Sequence, residues 1–385
     1  MLMAKTIIVR YGEIALKSKP VRRRFERRLI HNINLSLKGL RYKLRQERGR
    51  IFIDTNSISA ATMHLSKIPG IVSVSPSIKV ESTLDSIRSA AVKVARGVLS
   101  PGMSFAVRTS RMGEHEFSSR DVNVNVGSAI LARIKGLRVN LSAPERKIFI
   151  EIREGDAYVF TRIVDGVGGL PIGSQGNVVV LFSGSTNSLA AAYFAMKRGC
   201  VAFPLLLDHA GGQMRRLATN SARKLAAIYP RLELRILPYN KLHRALVEKA
   251  TGDLACALQR RAELRAAEAV AEQVGGDAIV TDEGLGQITE QGLENLYVID
   301  GACKLMVLRP LVGMNEDEIE QIARQAGIPK HHVQPIMEYP PRFLKLTPQK
   351  VEEMQKIEKE LGIDALIEAA LPKLKVIRLR RSAWT

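Results

Sequence analysis

The sequence predicts an α/β protein in which mixed front modules are followed by a doubly wound parallel sheet, and three observations carry that prediction. From residue 178 onward, strand-like apolar runs alternate with helical runs, the pattern of a parallel sheet covered by helices. Ahead of it, strands come in close pairs joined by short charged turns, which suits a small antiparallel sheet with helices on one side. Between the two regions, residues 166–176 are rich in glycine and broken by Pro171, the mark of a linker.

In order, residues 5–10 read as a strand that Tyr11-Gly12-Glu13 ends before an amphipathic helix running to about Ile33. Strands at 42–46 and 50–53 meet at Glu47-Arg48-Gly49, and a helix follows at about 59–66. The pattern restarts after Gly70, with strands at 72–75, 104–108, 138–141, 147–153 and 158–163 and helices at about 84–99 and 119–134. In the back half, strands are expected at 178–182, 202–207, 232–237, 278–281 and 305–308, with helices at about 189–198, 213–228, 254–274, 288–296 and 315–326. The last stretch offers Pro340-Pro341, a polar helix at about 347–361 and a basic tail from Lys373 to Arg381.

The chain has 385 residues, 46% of them hydrophobic, ample for two or three cores. Its net charge is +20, and residues 1–50 hold 15 Lys/Arg against 3 Asp/Glu, so a surplus of +12 sits in the first eighth of the chain. Charge so concentrated points to a polyanion, and nucleic acid is preferred to a membrane surface. Phe25, Leu29, Ile30 and Ile33 recur at helical spacing among Arg22, Arg23, Arg24, Arg27 and Arg28 and are read as facing a core. Aromatic content of 5% disfavours a stacking platform for single-stranded RNA. Cys200, Cys256 and Cys303 are too few and too far apart for a disulfide scaffold or a four-ligand zinc site. His331-His332 reads as loop, and no metal ligand set is identified. With no signal-peptide pattern and no apolar stretch of about 18 residues, a cytoplasmic protein is expected.

The most informative segment is Ser183-Gly184-Ser185-Thr186-Asn187-Ser188. It follows the apolar run 178–182 and opens a helix, so turn amides and unpaired amides of the first helical turn converge on one anion. Doubly wound sheets bind ligands at the carboxyl ends of their strands, where this turn lies.

Three stretches carry a resemblance to one family. They are Val9-Arg10-Tyr11-Gly12-Glu13-Ile14-Ala15-Leu16-Lys17; Gly70-Ile71-Val72-Ser73-Val74-Ser75-Pro76 with Val107-Arg108-Thr109-Ser110-Arg111 and 147–153; and 277–291 continuing to Leu308-Arg309-Pro310-Leu311-Val312-Gly313-Met314. Together with the entry Gly168-Gly169-Leu170-Pro171-Ile172-Gly173 they resemble the tRNA 4-thiouridine synthetases, which are tRNA sulfurtransferases. The resemblance implies a ferredoxin-like N-terminal domain (1–60), a THUMP α/β domain that binds RNA (61–165), the linker, a doubly wound parallel-sheet PP-loop domain of the adenine nucleotide alpha hydrolase type (177–335) and a C-terminal extension (336–385).

It also implies ATP and Mg2+ as cofactors, tRNA as partner, and a cysteine desulfurase or other persulfide donor, with a homodimer left open and no membrane association. In such enzymes a uracil oxygen attacks the α-phosphate of ATP and sulfur then displaces AMP. By similarity Ser183, Gly184 and Ser188 cradle phosphate, Ser185 and Thr186 belong to the same nucleotide-binding turn, Leu181, Phe182, Leu206 and Leu207 line the nucleotide pocket, and Arg260, Asp282 and Gln291 fall at further contact positions. Arg22, Arg23, Arg24, Arg108, Arg111, Arg120 and Arg133 are candidates for tRNA phosphate contacts, which give affinity with little sequence readout.

The chain also departs from the family pattern. The PP-loop reads Ser-Gly-Gly-x-Asp-Ser in the family; here Ser185 replaces the second Gly and Asn187 the Asp, and Asp282 stands where Gly is usual. Asn187 is neutral and a poor Mg2+ ligand, and Ser185 adds a Cβ to the cradle. Cys256 is the candidate sulfur carrier, but Gln259 occupies the place of a partner cysteine. Its other reading is a buried helix residue beside Leu254, Ala255 and Leu258, and Cys200 and Cys303 read as structural. Two functions follow: an ATP-dependent tRNA sulfurtransferase forming 4-thiouridine, or a tRNA-binding paralogue that has lost catalysis and serves as a scaffold. A helix-turn-helix regulator has only charge in its favour, and a methyltransferase lacks a Gly-x-Gly turn after the first back-half strand.

Overall fold

The computed structural model describes residues 5–47, 49–249, 254–285, 293–325 and 347–379. The chain forms two compact units, one from residues up to Leu16 together with Leu37–Gly168, the other from Lys17–Ser36 together with Gly169 onward. Helix α1 (Lys19–Ser36) therefore belongs to the second unit.

In the first unit, β1 (Lys5–Tyr11) pairs antiparallel with β3 (Arg50–Thr55) on one side and β4 (Ile71–Glu81) on the other. Strands from residues 5–55 and strands from 71 onward thus share one sheet, of order β2-β3-β1-β4-β8-β7-β5-β6, with β9 (Val164–Asp165) also on β4. Here β2 is Tyr42–Glu47, β5 Ser104–Arg111, β6 Arg138–Val139, β7 Arg146–Ile152 and β8 Asp156–Phe160. Helices α2 (Ile58–Ser66), α3 (Leu84–Arg96) and α4 (Ser119–Arg133) complete it. Thr83 caps α3 by accepting from Ser86 N–H, and Ser118 with Asp121 forms a capping box on α4. Strand alternation puts Val107, Ile148, Ile150 and Val159 on the face that packs against Ile87, Val122 and Ile130.

The opposite face is held by charge. Glu151 of β7 is buried and takes Arg10 of β1 at 3.0 Å, Arg50 of β3 at 2.9 Å and Arg153 at 2.5 Å. Phe52 stacks on Tyr158 with ring centroids 4.5 Å apart beneath Arg45 and Arg153.

The second unit is a three-layer α/β domain. Its sheet has the order β14-β13-β10-β11-β12-β15 and is parallel except for β15. The strands are β10 (Asn177–Leu181), β11 (Val201–Asp208), β12 (Glu233–Pro238), β13 (Ala278–Val280), β14 (Met306–Leu308) and β15 (Lys375–Arg378). Residues of α5 (Thr186–Lys197), α6 (Gly212–Ala226) and α10 (Glu316–Gln325) share one core, as Leu189, Ala222 and Ile319 show. Residues of α7 (Asn240–Lys249), α8 (Ala255–Val274), α9 (Leu293–Asp300), α11 (Pro348–Leu361) and α12 (Ile363–Ala370) share the other, among them Leu246, Leu258, Ile299, Met354 and Ile367.

Three features differ from the sequence reading. Helix α7 fills a span where none is expected, α12 follows the polar helix after a left-handed Gly362, and Lys375–Arg378 of the basic tail forms β15. The C-terminal segment is part of the domain: buried Glu358 of α11 accepts from Arg261 at 2.6 Å and 3.1 Å and from Arg265 at 2.9 Å, both on α8. Pro340-Pro341, His331-His332 and Gln291 lie outside the described residues. Among the described residues no helix is long and apolar enough to cross a membrane.

Burial disfavours the charge on Glu151, but the three guanidiniums outweigh it and hold its carboxyl below the ordinary glutamate range. A pKa depressed by folding adds stability above the unfolded value, and that stability is lost as pH falls through the folded value. Glu151→Gln is therefore expected to cost about 3 kcal/mol at neutral pH. The gap from the natural chain should narrow below pH ~4, near the ordinary glutamate value; urea unfolding monitored at both pH values checks this.

Candidate functional site

Parallel register brings the carboxyl ends of β10, β11 and β13 to one edge: Val180 pairs with Pro204 and Val280, and Leu181 with Leu205. Beyond β10 the chain turns through Ser183, Gly184 and Ser185 into α5. Ser185 is the N-cap, with φ −63° and ψ 164°, and its hydroxyl accepts from Ser188 N–H at 3.1 Å. Gly184 has φ +87°, and a Cβ there would lie 2.7 Å from Ala218 Cα, so only glycine lets the turn rest on α6. Ser221 of α6 fixes the approach by donating to the Gly184 carbonyl at 2.7 Å.

Inside the turn three hydroxyls converge. Ser183 Oγ is 3.0 Å from Ser185 Oγ and 3.4 Å from Ser188 Oγ, and the last two are 3.2 Å apart. Gly184 N–H donates to Ser188 Oγ at 3.1 Å and Ser185 N–H to Ser183 Oγ at 3.2 Å. The amides of a phosphate cradle are thus satisfied by hydroxyls that rotate, and these can turn their hydrogens toward an anion. Ser185 takes part in this hydrogen-bonded turn as the N-cap of α5.

Asp282, two residues beyond β13, accepts from Ser185 Oγ at 3.3 Å. Behind it runs a chain of charges. Arg260 of α8 donates to Glu263 at 2.8 Å and lies 3.4 Å from Glu283; Glu283 also takes Arg309 at 2.9 Å, and Arg309 reaches Asp300 at 2.6 Å and 2.9 Å. Burial pushes the Asp282 carboxyl above the ordinary range, Arg260 opposes it and Glu283 adds to it. Burial works against the charge on Arg260, yet Glu263, Glu283 and Asp282 outweigh it and keep the guanidinium protonated. Sequence reading picked out Arg260 and Asp282 but not Glu263, Glu283 or Asp300. Its available signals were Glu283 directly after Asp282 and Arg309 inside Leu-Arg-Pro-Leu.

Leu181, Phe182, Leu206 and Leu207 lie at the ends of β10 and β11, where Phe182 N–H donates to the Leu205 carbonyl at 2.8 Å. Asp208, at the end of β11, is committed to its own loop: it accepts from Gly211 N–H at 2.8 Å and pairs with Arg215. Asn187 lies in the first turn of α5, half-buried. Cys256 is half-buried on α8, one turn from Arg260, and forms no disulfide. Burial and Asp277 push the Cys200 thiol up, and burial with Glu268 and Asp300 pushes Cys303 up to about 11, so neither is poised as a thiolate. No three His, Cys, Asp or Glu side chains among the described residues group as a metal site.

The arginines divide between the units. Arg22, Arg23 and Arg24 are on α1 in the second unit, where Arg22 reaches Glu26 at 4.0 Å. Arg108 and Arg111 on β5, with Arg120 and Arg133 on α4, are in the first. Arg108 is half-buried and donates to the Leu141 carbonyl, while Arg111, Arg120 and Arg133 are exposed.

A serine–glycine turn at the carboxyl edge of a doubly wound sheet, preceded in sequence by an α/β front unit, defines a protein of the composite PP-loop class. The family described as thiamine biosynthesis protein (ThiI) matches residues 173–363, its ferredoxin-like domain matches 6–75, and the THUMP domain matches 81–162. The chain is 38% identical over 331 residues to a probable tRNA sulfurtransferase of Methanothermobacter thermautotrophicus, covering 83% of this chain and 84% of the relative. With the probable tRNA sulfurtransferase of Methanosarcina acetivorans it shares 34% over 391 residues, 97% of this chain and 93% of that one. A solved 4-thiouridine synthetase–RNA complex with bound ATP matches with a TM-score of 0.86 at 27% identity, covering 97% of this chain and 99% of that one. The chain belongs to the tRNA sulfurtransferase family.

Gly184→Ala combines a strained positive φ with a backbone clash and should lower stability by more than about 1 kcal/mol. Gly127→Ala, in α4 with nothing within 4 Å of the added methyl, should leave stability unchanged or slightly raised. Thermal unfolding of the two variants side by side checks the contrast.

Proposed function

We propose that this chain is an ATP-dependent tRNA sulfurtransferase that forms 4-thiouridine. The observation that carries the reading is the end-to-end match, 97% of this chain, to a synthetase solved with RNA and ATP; the formed cradle agrees with it. In this reading the turn amides and hydroxyls of Ser183, Gly184, Ser185, Thr186 and Ser188 hold the ATP phosphates. Leu181, Phe182, Leu206 and Leu207 line the pocket, and Arg260, Asp282 and Gln291 complete it. Mg2+ would offset phosphate charge when bound.

A uracil oxygen attacks the α-phosphorus and pyrophosphate leaves. The outer sulfur of a persulfide then attacks the activated ring carbon and AMP departs with the oxygen. A thiol of the donor protein or of a small-molecule reductant attacks the inner sulfur, forming a disulfide as the S–S bond breaks and 4-thiouridine is released. A cysteine desulfurase or another persulfide protein would supply the sulfur, with Cys256 as the candidate acceptor on this chain. Residues 1–60 and 61–165 would serve as the ferredoxin-like and THUMP domains, 166–176 as linker, 177–335 as the PP-loop domain and 336–385 as its extension. Arg22, Arg23, Arg24, Arg108, Arg111, Arg120 and Arg133 would bind tRNA phosphates, in the cytoplasm.

One observation favours the second reading, a tRNA-binding scaffold: Gln259, three residues after Cys256, is committed to Glu263 at 2.8 Å, so no second thiol stands there. The two readings separate in a reaction containing purified protein, unmodified tRNA, ATP, Mg2+ and sulfide in place of the donor. The enzyme should release AMP and form 4-thiouridine in equal amounts. Retention of tRNA with neither product would overturn the enzyme reading in favour of the scaffold.

A further inference from the structure

Ser185 and Asn187 share one turn and Asp282 lies 97 positions beyond Ser185, yet Ser185 and Asp282 touch. The Ser185 hydroxyl donates to Asp282 Oδ2 at 3.3 Å. Glycine at 185 could not make that bond, and glycine at 282 could not accept it. The first turn of α5 carries no acidic residue. The carboxylate in contact with the cradle therefore comes from the end of β13 rather than from the helix.

Other acids nearby are already committed. Asp208 is bound to Gly211 and Arg215, Glu283 to Arg309, Arg260 and Thr281, and Glu263 to Gln259 and Arg260. Asp282 is hydrogen-bonded at the cradle to the neutral Ser185 hydroxyl, and the Arg260 guanidinium, shared with Glu263 and Glu283, acts on it through charge alone. A carboxylate placed there meets incoming phosphates in one of two ways. Bare, the two anions repel; with a divalent cation between them, they share it. Mg2+ takes oxygen ligands and is bound through one or two carboxylates plus substrate phosphates rather than by an all-protein cage. A cradle with one carboxylate fits that mode.

We infer that Asp282 is the carboxylate through which this chain takes the Mg2+ that accompanies ATP, with Ser185 as its positioning residue. The exchange restores from β13 the negative charge that Asn187 lacks on α5. It rests on the ATP-dependent reading above.

The test is calorimetric binding of ATP to the full chain, in Mg2+ and again in EDTA. The proteins compared are the natural chain, Asp282→Asn and the double variant Asn187→Asp with Asp282→Gly. Mg2+ should tighten ATP binding by the natural chain. Asp282→Asn should weaken binding in Mg2+ by about tenfold, the scale on which metal affinity responds to loss of one supporting group. It should strengthen binding in EDTA, because a bare negative charge is gone. That reversal of sign is not expected from a folding defect, and recovery of Mg2+ dependence in the double variant supports the exchange independently. Binding of ATP in Mg2+ by Asp282→Asn as tight as that of the natural chain, or tighter, would overturn the inference alone and make Asp282 a repelling group. Absence of ATP binding in all three proteins under both conditions would overturn the ATP-dependent reading and this inference with it.

Discussion

Gly184 has to rest against the backbone of α6, and much of the site depends on that contact. Its Cα hydrogen faces Ala218 across a gap too small for a methyl group, and Ser221 locks the approach through the Gly184 carbonyl. With the turn pressed there, Ser185 can cap α5, the amides of 184 and 185 point inward, and the hydroxyls of 183, 185 and 188 fall within hydrogen-bond reach of one another. Parallel pairing of β10 with β11 and β13 sets the ends of all three strands level with this turn. A backbone close approach, not a side-chain constellation, thus fixes the position of the turn and of the first amides of α5.

The charges around the turn are arranged so that few are left over. Arg260 and Arg309 share Glu263, Glu283 and Asp300, an alternating row in which burial makes each partner necessary to the next. Helix α8, which carries Arg260 and Glu263, is held from its other side by Glu358 on Arg261 and Arg265. The C-terminal segment therefore bears on the site through the helix it grips, while β15 covers the edge of β12 that would otherwise stay unpaired.

The parallel sheet was legible because buried strands such as Val178-Val179-Val180 and Leu205-Leu206-Leu207 read as continuous apolar runs between helical periods. The phosphate turn was legible because Gly184 sits between serines directly after such a strand. What sequence did not reveal depends on contacts distant along the chain. β15 is a four-residue strand with a basic pattern, and its pairing with Leu234 and Ile236 is what makes it a strand. Helix α7 has only Leu242 and Leu246 buried, a short stripe with weak periodicity. The touch between Ser185 and Asp282 spans 97 positions, and each residue taken alone read as damage to the loop.

The basic helix α1 shows the same limit at the scale of domains. Continuity in sequence places it with the strands that flank it, yet compactness places it with the unit that holds the phosphate cradle. Asn32 donates to the Ile172 carbonyl at 3.1 Å, and Gly173, at φ +84°, leaves room for the Arg28 guanidinium where a Cβ would come within 3.1 Å. The glycines of the linker thus have separate tasks. Those up to 168 close against β4 and α2, as Gly166 and Gly168 do through Val72 and Ile71, and those from 169 receive Lys197 and Arg28. Arg22, Arg23 and Arg24 consequently belong to the unit that holds the cradle, while Arg108, Arg111, Arg120 and Arg133 belong to the other. Part of the N-terminal charge surplus therefore lies in the same unit as the serine–glycine turn after β10.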